Sequence, residues 1–192
     1  MRKYTSLVAV AVMMASIVEA QERGRMVGSH QHGHGTVNIA TEGNSLLIEL
    51  HAPGSDIVGF EHPARSDDDR QAVEKARTML RDPQALFAIP ANAGCRTEKA
   101  TITLAGDAGH EHSGDHGADR EHTRAEHDGH MEFHAEYALH CDRPAAIREL
   151  GFPFFKLFPR SRELGVTVIT ERGQATYEVG RDTPIIEIKQ AP

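Results

Sequence analysis

Apolar and polar residues alternate along much of this chain, and such alternation is typical of strands with one buried face. It predicts a hairpin over residues 35–51, in which Val37 and Ile39 share one face and Glu42-Gly43-Asn44 forms the turn. The same pattern predicts a second hairpin, made of residues 164–170 and 174–179, and single strands at residues 97–104, 130–141 and 185–188. The sequence therefore predicts a mostly β structure.

A helical spacing of apolar residues interrupts this pattern at residues 66–81. Ser66 and Asp69 form the kind of start that a capping box provides. A second, short helix is predicted within residues 142–151, because an acidic residue and a proline open the segment and a glycine ends it. The phenylalanine-rich segment 152–158 that follows is predicted to lie in the core.

A weak internal repeat relates the segment around His51 to the segment around His140. It predicts an α+β, mostly β fold of two similar half-units, each made of strands plus a helix, at residues 21–104 and 130–192. Residues 105–129 between them are rich in Gly, Asp, Glu and His and hold almost no large apolar side chain. They cannot bury enough apolar surface to offset the entropy of ordering, so we predict a disordered histidine-rich loop inserted between the half-units.

The first twenty residues have the features of a cleavable secretory signal peptide. Arg2 and Lys3 precede an apolar stretch at residues 7–18, and Val18, Glu19 and Ala20 form a cleavage site with small residues at its ends. An uncleaved N-terminal anchor is the alternative. No later apolar stretch approaches the roughly twenty residues of a membrane helix, so no membrane span is expected after cleavage. The expected location is the bacterial periplasm.

The chain carries a formal net charge of −7. It lacks the basic stripe that proteins need to displace counterions from phosphates, which argues against a nucleic-acid partner. An acidic surface instead suits the attraction of cations.

The two cysteines, Cys95 and Cys141, are far apart and form no CxxC motif. In an oxidising compartment an even number of cysteines suggests a disulfide. A pair of thiolates that bind a metal is the alternative interpretation.

Histidine is the residue that carries the candidate chemistry. All 13 histidines lie between His30 and His140, often in tight groups, and their polar neighbours are Asp and Glu rather than Cys. Neutral imidazole is the commonest metal ligand in proteins, and histidine-rich tracts indicate metal binding. A mixture of imidazole and carboxylate suits Zn²⁺, and also Cu²⁺ or Ni²⁺, better than Cu⁺.

Two groups of histidines have regular spacing. His30, His32 and His34 alternate, so an extended chain would point all three imidazoles the same way; a polar tail or an expression tag is the alternative. On the strand at 130–141, His130, Glu132, His134 and His140 share one face. Residues two apart on a strand are about 6.6–7 Å apart, so a site there needs convergent side chains or a donor from another strand. A solvated polar face is the alternative interpretation.

The remaining metal candidates have no fixed spacing. His62 lies in a loop before a proline, and His51 lies at the end of a strand. The predicted loop adds a set of histidines that would have to order before binding, which favours weaker and exchangeable sites: His110, His112, His116, His122 and His127. The sequence contains no HExxH helix, nucleophile elbow or phosphate loop, so we do not expect an enzyme.

Several short motifs occur in an order that resembles the zinc-regulated periplasmic zinc-binding protein family, the ZrgA-like proteins, over residues 30–188. They are His32-Gly33-His34-Gly35, Pro53 before Gly59-Phe60-Glu61-His62-Pro63, Cys95, His130, Tyr137 and Cys141 around the histidine-rich segment, Leu157-Phe158-Pro159, Ile169-Thr170 and Gly173-Gln174. The resemblance implies a mostly β fold of two halves, a histidine-rich insert and a role in zinc acquisition beside a zinc ABC importer. It identifies no set of ligands.

Together these features predict a periplasmic protein that captures or buffers Zn²⁺ and hands it to a component of a zinc ABC importer. Two alternatives remain. One is a storage protein or chaperone for nickel or copper. The other is a zinc-dependent hydrolase, in which Glu61 or Glu132 would activate water.

Overall fold

The computed structural model of this chain describes residues 32–106 and 130–188. Four of the sequence-based predictions lie wholly or mainly outside these residues: the signal peptide, the ligand His30, the disordered loop and its five histidines. In the described part of the chain, no helix combines the length and the apolar character that crossing a membrane requires.

Eight strands and four short or medium helices make up the described fold. The strands are β1 (His34–Glu42), β2 (Ser45–Pro53), β3 (Cys95–Ala105), β4 (Glu132–Cys141), β5 (Glu149–Gly151), β6 (Glu163–Thr170), β7 (Gly173–Gly180) and β8 (Ile185–Glu187). The helices are α1 (Gly54–Ile57), α2 (Asp67–Leu80), α3 (Pro83–Leu86) and α4 (Phe154–Leu157).

One mixed sheet of six strands organises the molecule, in the order β3-β4-β2-β1-β6-β7. β1 and β2 form the predicted hairpin, and β6 and β7 form the second. β1 pairs in parallel with β6, which joins the two hairpins, while β4 inserts antiparallel between β2 and β3. The short strands β5 and β8 form a separate two-stranded sheet.

One face of the large sheet holds the core. Alternate residues of β1, β2 and β4 are fully buried there, and α2 packs Val73, Ala76 and Leu80 inward. Four phenylalanines of the predicted aromatic segment are also buried: Phe152, Phe154, Phe155 and Phe158. The alternation that predicted the strands therefore also sorts their side chains between the core and the opposite face.

The opposite face of this sheet, called here the open face, carries the intervening residues of β1, β2, β4, β6 and β7. Its side chains are partly or fully exposed, and many are His or Glu. In one row across it, Thr36 of β1 lies opposite His51 of β2 and Gly165 of β6. His51 in turn lies opposite His134 of β4, and Gly165 lies opposite Glu178 of β7.

The predicted α+β, mostly β fold class is confirmed, as are both hairpins and the helix that begins with a capping box between Ser66 and Asp69. The helix predicted within residues 142–151 is wrong for most of its length. Only a 3₁₀ turn forms, at Pro144–Ala146, and β5 follows it because Glu149–Gly151 pairs with β8 instead. Pairing with a distant strand here outweighs the local helix signals.

The division into two half-units remains a prediction. Strands from both proposed halves alternate in one sheet, since β4 lies between β2 and β3. The proposed equivalents His51 and His140 lie at opposite ends of the β2–β4 pair: His51 faces His134, and His140 faces Ser45.

The disulfide between Cys95 and Cys141 is confirmed. The two residues lie directly opposite each other, where β3 begins and β4 ends. Both sulfurs are consumed by this bond, so the alternative of thiolate metal ligands is wrong. The bond joins the two strands at the end of the pair opposite to the one from which residues 107–129 continue.

Candidate metal centre

Two imidazoles and one carboxylate converge on the open face, where β2 ends and β4 begins. The ring centroids of His51 and His134 are 4.2 Å apart, and the Nε2 atom of His134 lies 2.6 Å from an oxygen of Glu132. One ligand atom from each of the three residues falls within 4.8 Å of the other two. All three side chains are half-buried, so they are held in place yet remain open to an ion from solvent.

Strand alternation and register together build this group. Phe133 and Ala135 point into the core, which directs Glu132 and His134 to the open face. On β2, burial of Leu50 and Ala52 does the same for His51. The two strands then pair so that His51 lies opposite His134. Because alternate residues of one strand are about 6.6–7 Å apart, the site needs a donor from a second strand, and His51 supplies it.

Two nitrogen ligands and one carboxylate oxygen form a donor set that suits Zn²⁺. Three protein ligands leave the fourth tetrahedral position for water or for a donor from another molecule. An ion bound this way can exchange more readily than one enclosed by four protein ligands. We call His51, Glu132 and His134 the first group.

His34 lies in a different place on the same face. Its Nδ1 atom is 3.1 Å from an oxygen of Glu163 on β6, and Glu178 of β7 also lies close. His34, Glu163 and Glu178 form a second group of three possible ligands.

A third network surrounds the carboxylate of Glu61, which is only 14% exposed. His130 Nδ1 lies 2.8 Å from one of its oxygens. The other oxygen accepts a hydrogen bond of 2.8 Å from the Ser55 hydroxyl and lies 3.5 Å from His32 Nδ1. The backbone fixes this arrangement, since the Met131 N–H donates to the Glu61 carbonyl oxygen.

The pKa values of two carboxyl groups in this region, Glu61 and Asp56, are shifted in opposite directions. Burial alone would raise the pKa of Glu61, but hydrogen bonds from Ser55 and His130 outweigh it, and the pKa is lowered. Burial dominates at Asp56 and raises its pKa, although one oxygen accepts a hydrogen bond of 2.8 Å from the Gly33 N–H. The carboxylate of Glu61 therefore carries a negative charge beside the His32 and His130 rings.

The expectation that His32 and His34 face the same way is not met. β1 begins only at His34, and Gly33 has a φ of 86°, so the chain turns between the two histidines. His32 contacts Ser55 and Glu61, whereas His34 contacts Glu163.

His130 is likewise separated from Glu132 and His134, with which the sequence grouped it. It precedes β4, and its ring contacts Glu61. His62 is exposed and stacks on Phe60, and His140 lies 3.9 Å from Asp142 at the far end of β4. Neither of these last two joins a group of three possible ligands among the described residues.

Sequence reasoning missed Ser55, Glu163 and Glu178. Glu178 occupies an outward position of the predicted second hairpin, and Glu163 directly precedes the first strand of that hairpin, so the sequence contains a partial signal. Their proximity to His34 depends on the parallel pairing of β1 with β6, which no local pattern specifies.

Comparison with known proteins agrees with this chemistry. The family model described as "ZrgA family zinc uptake protein" matches residues 29–188. No curated protein matches the chain. The matched range contains all three groups of imidazole and carboxylate side chains, and it bears out the resemblance seen in the sequence motifs. Because the match covers most of the sequence, the chain belongs to the ZrgA family of zinc uptake proteins.

Proposed function

We propose that this protein is exported to the periplasm, where it captures or buffers Zn²⁺ and hands it to a component of a zinc ABC importer. The observation that carries the proposal is the convergence of His51, Glu132 and His134 on an open sheet face. Membership of a zinc uptake family and the acidic net charge support it.

The incomplete coordination of the first group suits a protein that releases its metal. A structural site with four protein ligands would hold zinc too firmly for a protein whose task is transfer. With three ligands, an acceptor protein can enter the open position and form a shared intermediate before it removes the ion. The hydrogen bond between Glu132 and His134 already brings two of the ligand atoms together before the metal arrives.

The first test compares two substitutions on the same strand face. His134→Ala removes a ligand of the first group, and His140→Ala removes an imidazole from the other end of β4. Competition with a chromophoric zinc chelator measures the tightest site of the full mature chain. We expect His134→Ala to weaken that site at least about 10- to 100-fold, the loss typical even of outer partners of metal ligands, and His140→Ala to leave it unchanged. Equal affinity in folded His134→Ala and wild-type protein would exclude this site.

Two further measurements separate the proposal from its alternatives. Competitive titration of zinc against nickel distinguishes zinc capture from nickel storage. Mixing the zinc-loaded protein with the periplasmic component of the importer tests transfer, which should proceed faster than spontaneous release to a chelator. If transfer is no faster than release, the handover to the importer is refuted and zinc buffering is left as the function.

We expect no hydrolase activity. Glu132 lies within the ligand set itself, and Glu61, the other candidate base, contacts His130 and Ser55 in a separate network. Zinc-dependent hydrolysis of ester or peptide substrates by the loaded protein, lost in His134→Ala, would favour the enzyme instead.

A further inference from the structure

We propose that His34, Glu163 and Glu178 form a second binding site for a divalent cation, separate from the first group. These residues come from β1, β6 and β7, so three adjacent strands each contribute one side chain. One possible ligand atom from each lies within 4.8 Å of the other two. The site does not depend on the first group, because it shares no residue with it.

The sheet places the two groups near each other but too far apart to share an ion. Both groups lie on the open face and occupy the same two rows of residues across the sheet. Thr36 and His51 lie in one row, and His34, two residues before Thr36 on β1, lies in the next. Neighbouring strands are about 4.8 Å apart, and the centres of the groups are separated by between two and three strands, or roughly 10–15 Å. A cation bound to nitrogen or oxygen needs ligands at about 2.0–2.2 Å, so each group would hold its own ion.

Glycines on the same strands leave the space that an ion needs. Glu178 lies opposite Gly165, and Glu163 lies opposite Gly180. A Cβ atom added at Gly165 would lie 3.6 Å from Nε2 of His34 and 3.9 Å from both carboxylate oxygens of Glu178. The space between these ligand atoms is therefore bordered by the backbone of Gly165, which has no side chain to fill it.

Charge also favours a cation at this position. His34 Nδ1 lies 3.1 Å from an oxygen of Glu163, so a protonated imidazole would offset part of the negative charge of that carboxylate. The side chain of Glu178, unlike its backbone, makes no ion pair or hydrogen bond within residues 32–106 and 130–188. Two carboxylates this close repel each other, and a divalent cation between them would convert that repulsion into attraction.

The donor set predicts how the second site differs from the first. One imidazole and two carboxylates suit zinc but also harder cations such as Mn²⁺, whereas two imidazoles favour zinc more strongly. Glu178 is exposed, so water competes for this site more effectively. We expect the second site to bind zinc more weakly and to release it faster than the first group.

Nuclear magnetic resonance on the ¹⁵N-labelled full mature protein reads out each site separately during titration with zinc ions. The amides of Gly165 and Gly180 report the second site, and the amide of His134 reports the first. The test variant is Glu163→Gln with Glu178→Gln. Its Gly165 and Gly180 amides should need at least about tenfold more zinc for a half-maximal shift, while His134 titrates as in wild type.

The matched control is Glu49→Gln with Glu136→Gln. These two residues lie opposite each other on the open face and belong to neither group, so the control removes the same charge from the same surface. In the control, the zinc concentration for a half-maximal shift of the Gly165 and Gly180 amides should stay within a factor of about two of the wild-type value. The reason is that exposed charges farther away than a Debye length of about 8–10 Å are screened.

Two results would overturn the second site. One is the absence of a zinc response at Gly165 and Gly180 in the wild-type protein. The other is an equal response in the test variant and in wild type. A response at these glycines without one at His134 would instead refute the proposed zinc site of the first group and leave the second site standing.

Discussion

Removal of the bond between Cys95 and Cys141 should lower stability strongly and leave zinc binding intact. The bond closes a loop across 46 positions of sequence. In the loop-entropy relation, a cross-link of this length destabilises the unfolded chain by about 4 kcal/mol. For a chain of this size, each kcal/mol corresponds to about 2–4 °C in melting temperature, so the expected decrease is about 8–16 °C.

The assay uses Cys95→Ala with Cys141→Ala, because Cys141 is fully buried and a serine hydroxyl there would lack a partner. Thermal unfolding is followed by circular dichroism, and zinc stoichiometry by native mass spectrometry. The single variant Cys95→Ala is a second test, because either substitution alone removes the bond and should produce most of the decrease in melting temperature. Wild-type protein with and without reductant gives the same comparison without any mutation.

Three results would refute this reasoning. An unchanged melting temperature would mean that the unfolded chain is not constrained by the bond. Loss of a bound zinc in the folded double variant would make the cysteines ligands. Two reactive thiols in wild-type protein, denatured without reductant, would show that the bond does not form.

Four other outcomes are expected. Deletion of residues 106–128 should reduce the number of bound zinc ions in native mass spectra while at least one tight site remains; loss of all tight binding would exclude a site in the folded part. Zinc affinity measured by chelator competition should fall steeply from about pH 7 to pH 5, because ordinary imidazoles take up protons near pH 6.5, and a flat profile would indicate ligation by carboxylates alone. Tyr137→Phe removes the buried hydrogen bond of 2.7 Å to the Leu80 carbonyl oxygen, so denaturant titration should show a loss of about 1–3 kcal/mol with zinc affinity unchanged. Burial raises the pKa of Asp56, so the folded state binds this proton more tightly than the unfolded chain, and the carboxyl costs stability as pH rises through the raised value. Asp56→Asn keeps an acceptor for Gly33 and should raise the melting temperature at pH 7, an advantage that disappears below the ordinary value of 3.8.

The sequence by itself determined the strands of the large sheet and the face on which most of their side chains lie, although it missed β5. Alternation of period two needs only neighbouring residues, so it located the two hairpins and directed His51, Glu132 and His134 away from the core. The capping box at Ser66 is local in the same sense, and it placed the start of α2 correctly. The kind of chemistry also followed from the sequence, because the number and clustering of histidines do not depend on the fold.

Only the tertiary structure decided which ligands meet. Pairing of β2 with β4 brings His51 to His134, and parallel pairing of β1 with β6 brings His34 to Glu163. These contacts join residues distant in sequence, and their register is set by the packing of the whole sheet rather than by any local pattern. The left-handed conformation of Gly33 separated His32 from His34 for a related reason, since a single turn residue redirects side chains that regular spacing alone would align.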